Sequence, residues 1–195
     1  MIIKDWKKEI LTIPNLLSLF RLVLIPVYVI IYLNATKSVH YHIAGGILAV
    51  SCITDLIDGK IARHFNMIST VGQLLDPLAD KATQFTLILC LAINHPILWV
   101  IIGLFIAKEG FQLIAGIVTF RKGKMLKGAL FAGKVCTTVL FTSLIILVLI
   151  PHISNTAVLF ITIIDAIFMI ISFADYAYTY WKKTPMIQEI DDQNK

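Results

Sequence analysis

HIAGGILAVSCITDLIDGKIARH, residues His42 to His64, is an apolar run that turns acidic and then basic before it ends. Its first half has the composition of a bilayer-spanning helix. Its second half carries Asp55, Asp58, Lys60 and Arg63, residues that such helices avoid. A second run, TVGQLLDPLADKATQFTLILCLAI (Thr70 to Ile93), places Asp76, Asp80 and Lys81 near its start and is apolar thereafter. Helices embedded in lipid and gathered around a polar site account for both halves of both segments.

The rest of the chain agrees. Of its 195 residues 58% are hydrophobic and only 15% charged, and the mean hydropathy is +0.84. A soluble domain carries about 25% charged residues, so the solvent for this chain is the bilayer. A spanning helix needs roughly 20 mostly apolar residues. Six windows meet that need: Pro14 to Leu33, His42 to His64, Thr70 to Ile93, Pro96 to Phe120, Ala129 to Ile150 and Ser154 to Trp181. Breakers such as Asn94-His95-Pro96, Arg121-Lys122-Gly123-Lys124 and Pro151-His152 separate them. There is no internal repeat and no low-complexity segment. The expected fold is therefore an all-α integral membrane protein of six transmembrane helices. A short N-terminal interfacial helix within residues 1–12 precedes a membrane domain over 13–183, and a polar, acidic tail over 184–195 is expected to be mobile.

Charge orients the helices. Lys4, Lys7 and Lys8 precede the first window; Lys60 and Arg63 lie near the second link; Arg121, Lys122, Lys124 and Lys127 fill the fourth; Lys182 and Lys183 follow the sixth. The first, third and fifth links hold almost nothing basic beyond Lys37. The positive-inside rule then puts both termini in the cytoplasm. The formal charge of +5 comes from residues scattered between apolar runs rather than from one stripe. That distribution argues against nucleic acid and for membrane lipids as the partner. Cys52, Cys90 and Cys136 lie inside apolar segments without metal-ligand spacing and imply no disulfide framework. Met1 to Thr12 lacks a small-residue cleavage site and does not read as a cleaved signal peptide.

Each ionised group near the bilayer centre costs ~2.5–3.5 kcal/mol on insertion scales. Asp55 and Asp58 are i and i+3, and Asp76 and Asp80 are i and i+4, so each pair shares a helix face. Two helices joined by a short link can bring all four carboxylates together. Four such charges repel unless cations neutralise them, and oxygen-only ligands select Mg²⁺, Mn²⁺ or Ca²⁺. Helix capping, or pairing with Lys60, Arg63 and Lys81, is the structural alternative for any one carboxylate. Gly59, Ala62 and Gly72 leave room for a nucleotide or a neighbouring helix. An ion or solute transporter also buries carboxylates, but it has no need for these small residues at fixed spacing.

Asp55-Leu-Ile-Asp58-Gly59-Lys-Ile-Ala62-Arg63, followed after eight residues by Gly72, then Asp76 and Asp80, resembles the signature D-x-x-D-G-x-x-A-R-x8-G-x-x-x-D-x-x-x-D of the CDP-alcohol phosphatidyltransferase family at every fixed position. The resemblance implies a six-helix membrane enzyme, a homodimer, in which an alcohol displaces CMP from CDP-diacylglycerol. It implies two Mg²⁺ (or Mn²⁺) ions held by Asp55, Asp58, Asp76 and Asp80, with Asp80 also the general base. Gly59, Ala62, Arg63 and Gly72 would form the nucleotide pocket.

Ile13-Pro-Asn15-Leu-Leu-Ser18-Leu-Phe-Arg21, Pro26, and Asp76-Pro-Leu-Ala-Asp80-Lys81 are similar to the phosphatidylglycerophosphate synthase branch of that family and to the related cardiolipin synthases. The acceptors implied are glycerol 3-phosphate and phosphatidylglycerol respectively. A dianionic acceptor needs cations, and Lys108 and Lys134 are expected to be buried within the fourth and fifth helices for that purpose. The chain departs from the glycerophosphate-using pattern at two points. Ala107-Lys108-Glu109 stands where those relatives carry Ala-Arg-Glu, and Gly116 where they carry a second Arg. Lysine keeps the charge but loses the bidentate fork that suits phosphate.

Overall fold

The computed structural model describes the backbone of residues 13–64, 70–121, 124–126, 130–182 and 187–189, and the side chains of 15–54, 75–121 and 130–182. The expected interfacial helix within residues 1–12 lies outside the described residues. Six long helices follow the six apolar windows: α1 Ile13–Leu33, α2 Ser38–His64, α3 Thr70–Asn94, α4 Trp99–Arg121, α5 Phe131–Leu149 and α6 Asn155–Lys182. Helix α2 starts four residues before the apolar window, because Ser38 to Tyr41 have no breaker among them. Pro96 does not open α4 directly. It starts a 3-10 turn, Pro96–Leu98, closed by the Leu98 N–H donating to the His95 carbonyl at 3.0 Å.

Among the described residues four helical stretches are long and apolar enough to cross a membrane: Asn15–Leu33, Pro96–Arg121, Phe131–Leu149 and Asn155–Lys182. In α2 the described stretch Ser38–Thr54 is apolar on average but shorter than a full span. Large apolar side chains such as Val23, Ile30, Leu113, Ile114, Phe160 and Ile170 are exposed along the helices. No monomer in water presents that much apolar surface. Trp99 at the start of α4 and Trp181 at the end of α6, the latter 90% exposed, stand where membrane-interface aromatics gather.

The chain divides into two compact units. The first comprises residues 1–93 with 145–152. Within it α1 packs along α2, with Tyr28 stacked on Tyr32 at 5.6 Å between ring centroids and Tyr41 edge-on to Tyr32 at 5.4 Å. Ala44, Leu48, Ala79, Leu87, Leu91 and Val148 are buried there. Helices α1 and α3 each contain an interior proline, Pro26 and Pro77. Pro77 has no N–H, so the Gln73 carbonyl lacks its usual i+4 donor one turn before the carboxylates.

The second unit comprises residues 94–144 with 153–195. Its α6 buries Val158, Thr162, Asp165, Met169, Ser172, Tyr176 and Thr179. These recur at alternating steps of four and three, the period of a helix-packing seam. Helix α4 packs against α6, where Phe111 meets Phe173 at 5.0 Å and Tyr180 at 6.2 Å. Gly133 lets α5 approach α6 closely: a Cβ there would sit 2.8 Å from the Tyr176 hydroxyl oxygen and 2.9 Å from its ring. That same hydroxyl accepts the Leu130 N–H at 3.3 Å.

Of the C-terminal segment, expected to be mobile, only residues 187–189 are among those described. Ile187–Glu189 pairs antiparallel with Lys124–Leu126, with Lys124 opposite Glu189. Both stretches are short and free of glycine and proline, so no residue interrupts the backbone pairing. It is the only strand structure among the described residues.

Candidate active site

Asp76 and Asp80 sit one turn apart on α3, and α1 supplies a partner for each. Asn15, Ser18 and Arg21 are spaced three residues apart on α1 and are all buried. The Ser18 hydroxyl donates to Asp76 Oδ1. Arg21 Nη1 donates to Asp80 Oδ1 and forms an ion pair with it. The guanidinium is nearly sealed at 2% exposure, while the Asp80 side chain stays 43% exposed. The α1 face therefore holds one oxygen of each carboxylate from the interior.

Sequence reasoning assigned no role to Asn15, Ser18 or Arg21. Their signal was available: polar residues at i, i+3 and i+6 inside a span that is otherwise apolar.

Asp55, Asp58, Gly59, Ala62 and Arg63 lie on α2 and Gly72 on α3; their side chains are outside those described. The backbone still constrains them. Asp58 and Asp76 each lie six residues from the link at 65–69, about 9 Å along their helices, and Asp55 and Asp80 nine and ten residues, about 14–15 Å. Along the two helices the four positions are thus matched pairwise in distance from the helix ends that flank the link. Among the described residues no three His, Cys, Asp or Glu side chains form a metal cluster. The two described carboxylates nonetheless fit a hard divalent cation. Both are oxygen donors, one turn apart, each with one oxygen pinned from the interior.

Lys108 is buried as expected, 4% exposed, but its ammonium donates to Glu109 Oε1 at 2.7 Å. Lys134, expected to be buried, is exposed. It is the fourth residue of α5, close enough to the helix end for its stem to lie along the apolar face with the ammonium free to reach the surface. Gly116 has room for a side chain: a Cβ would meet only the Tyr180 hydroxyl, at 3.9 Å. A further carboxylate within a candidate span escaped the sequence reading. Asp165 is fully buried in the middle of α6, where Ser143 of α5 donates to its Oδ1 at 2.9 Å. Its other oxygen makes no hydrogen bond among the described residues.

The chain matches the CDP-alcohol phosphatidyltransferase family over residues 11–177, and it belongs to that family. It is a multi-pass membrane protein. It is 30% identical over 135 residues to a probable phosphatidylglycerophosphate synthase of Mycobacterium tuberculosis (strain ATCC 25618 / H37Rv), an alignment covering 68% of this chain and 64% of the relative. It is 33% identical over 134 residues to a cardiolipin synthase (CMP-forming) of Streptomyces coelicolor, covering 66% of this chain and 61% of that one. A probable cardiolipin synthase (CMP-forming) of Drosophila melanogaster is 35% identical over 119 residues, 60% of this chain and 35% of the relative. The chain thus spans less than two thirds of the length of these curated relatives.

Proposed function

We propose that this protein transfers the phosphatidyl group of CDP-diacylglycerol to glycerol 3-phosphate, giving phosphatidylglycerophosphate and CMP in phospholipid biosynthesis. The observation that carries this reading is the buttressing of Asp76 by Ser18 and of Asp80 by Arg21, in a chain holding the complete Asp55-to-Asp80 pattern. Asp55, Asp58, Asp76 and Asp80 would hold two Mg²⁺ or Mn²⁺ ions, which when bound supply charge neutralisation for the pyrophosphate and the departing CMP. Asp80, oriented by Arg21, accepts the proton of the acceptor hydroxyl. The hydroxyl oxygen bonds to the phosphorus bearing diacylglycerol, and the bond from that phosphorus to CMP breaks. Gly59, Ala62, Arg63 and Gly72 line the nucleotide pocket, and Lys108 and Lys134 hold the acceptor phosphate. All six helices cross the membrane, both termini face the cytoplasm, and the protein works as a homodimer.

One observation favours cardiolipin synthase-type transfer to phosphatidylglycerol as a second reading. Lys108 is already paired with Glu109 and Lys134 is exposed, so neither is an uncommitted buried cation of the kind a dianionic acceptor needs. The test is CMP release from CDP-diacylglycerol by purified protein with Mg²⁺ or Mn²⁺, against glycerol 3-phosphate, phosphatidylglycerol, serine and inositol phosphate, with products identified by mass. Phosphatidylglycerophosphate as the main product supports the first reading, and robust cardiolipin without it decides for the second. Release of CMP with no acceptor in the panel rejects both.

A further inference from the structure

The face of α3 that carries the two described carboxylates does not end with them. Steps of four along it lead from Asp76 through Asp80 and Gln84 to Ile88, each advancing about 6 Å and turning about 40°. Burial deepens in the same order: Asp76 and Asp80 are partly exposed, Gln84 is 3% exposed and Ile88 is sealed. Gln84 is thus the last polar residue on this face before the apolar interior. A carboxamide brings two donors and an acceptor oxygen, and leaving one buried without partners costs about 1–3 kcal/mol. Among the described residues the Gln84 side chain makes no hydrogen bond. The progression along α1 gives the reason. Ser18 meets Asp76 and Arg21 meets Asp80, and the next turn of α1 brings Leu24 and Ile25, whose side chains have no polar atom. Thr83, beside Gln84 on α3, already donates to the Ala79 carbonyl at 2.8 Å. An unsatisfied buried group within an apolar span, one turn beyond the candidate site, is the mark of a ligand contact.

Depth gives the chemistry of that ligand. A lipid phosphate held at the level of Asp76 and Asp80 points its chains further along α3, toward the bilayer centre. In a diacylglycerol lipid the ester carbonyl carbon nearer the phosphate lies five bonds from phosphorus, on the order of 6 Å in an extended chain. That is the advance from Asp80 to Gln84. An ester carbonyl accepts hydrogen bonds and cannot donate them, and the Gln84 amide nitrogen supplies donors. We propose that Gln84 donates a hydrogen bond to an ester carbonyl of the CDP-diacylglycerol donor and so distinguishes ester-linked from ether-linked lipids. The identity of the donor rests on the phosphatidyl-transfer reading; the contact itself rests on the α3 face.

The experiment compares CDP-diacylglycerol with CDP-dialkylglycerol, whose ether links lack carbonyls, in the wild type, Gln84→Leu and Gln84→Met. The full chain is kept with Mg²⁺ in a detergent free of esters, so that no bulk lipid carbonyl competes. Binding is read from the rise in melting midpoint that each lipid produces, and turnover from CMP release with glycerol 3-phosphate. The wild type should bind the ester lipid roughly two- to tenfold more tightly than the ether lipid, and both variants should bind the two alike. Without lipid the variants should melt at or above the wild-type midpoint, because each loses an unsatisfied amide. No preference in the wild type, or the same preference in all three proteins, overturns the contact. A lower lipid-free midpoint in both variants also overturns it, since Gln84 then bonds within the fold; Ser51, buried at a similar level on α2, would be its partner. If the wild type releases no CMP yet keeps a Gln84-dependent preference in binding, the transfer reading fails and the contact stands. If it releases CMP without that preference, the contact fails alone.

Discussion

Replacing Arg21 with Met tests whether the α1 face belongs to the active site or only to the fold. Methionine comes near the arginine volume without the charge, so packing is largely retained. A charge-assisted hydrogen bond contributes about 1.5–3 kcal/mol. Asp80 is 43% exposed, so solvent screening favours the lower part of that range, about 1.5–2 kcal/mol. Stability should move less than this figure suggests, because the substitution also removes the desolvation penalty of a cation that is 2% exposed. If Arg21 orients Asp80 for proton transfer, the same figure appears in the rate as roughly a 13- to 30-fold loss of CMP release. Arg21→Lys, which keeps the charge but not the planar fork, should fall between the two. The assay is CMP release from CDP-diacylglycerol in lipid nanodiscs across a Mg²⁺ titration, with the melting midpoint measured in parallel. Turnover within twofold of wild type at every Mg²⁺ concentration would refute the reasoning, as would a loss that simply tracked unfolding.

Asp55→Asn, Asp58→Asn and Asp76→Asn should each abolish CMP release while the protein still inserts and folds; near-normal turnover of Asp76→Asn at saturating Mg²⁺ counts against a metal role. Cysteine probes at Lys124 and Lys183 should react only from the cytoplasmic side and one at Asn155 only from the opposite side, so labelling of Lys124 and Asn155 from one face rules out six spans. Gly133→Ala would place a Cβ 2.8 Å from the buried Tyr176 hydroxyl oxygen and should destabilise by about 1–3 kcal/mol, read as a lowered melting midpoint; an unchanged midpoint would mean α5 and α6 separate freely. Lys134→Ala should raise the glycerol 3-phosphate requirement roughly ten- to a hundredfold if that lysine holds the acceptor phosphate, and Gly116→Arg should lower it, since space at that Cβ is open. Unaltered acceptor kinetics in both variants would transfer the role to other cations.

The helices were legible because apolar length is a local property: each of α1 to α6 tracks a run of the sequence bounded by a breaker. The acidic pairs were legible because helical spacing fixes which residues share a face, whatever the tertiary packing. Neighbours across helices were not. Ser18 and Arg21 stand 58 and 59 residues from the carboxylates they bond, and no local pattern states which face of α1 turns toward α3. The Lys124–Glu189 pairing spans a similar separation. Lys134 shows the converse error. Its place inside an apolar window suggested burial, whereas its distance from the helix end and the length of its stem decide its exposure. Asp165 was overlooked because no second carboxylate stands within one helical turn of it, although a lone carboxylate in the middle of an apolar span is itself a reason for attention.

The α1 face also bears on how such a site can accept an anionic substrate in a low-dielectric setting. On the proposed reading the four carboxylates carry four negative charges, and Arg21 offsets one of them. Counting only these carboxylates and Arg21, the site carries a net charge of about −3 and repels a pyrophosphate, the more strongly because screening is weak there. Two divalent cations would reverse the sign and leave one net positive charge facing the nucleotide. Without Arg21 the same loaded site would be neutral. It would bind cations more tightly by simple Coulomb attraction while attracting the pyrophosphate less. The Arg21→Met variant is therefore expected to need less Mg²⁺ and more CDP-diacylglycerol, even as its turnover falls.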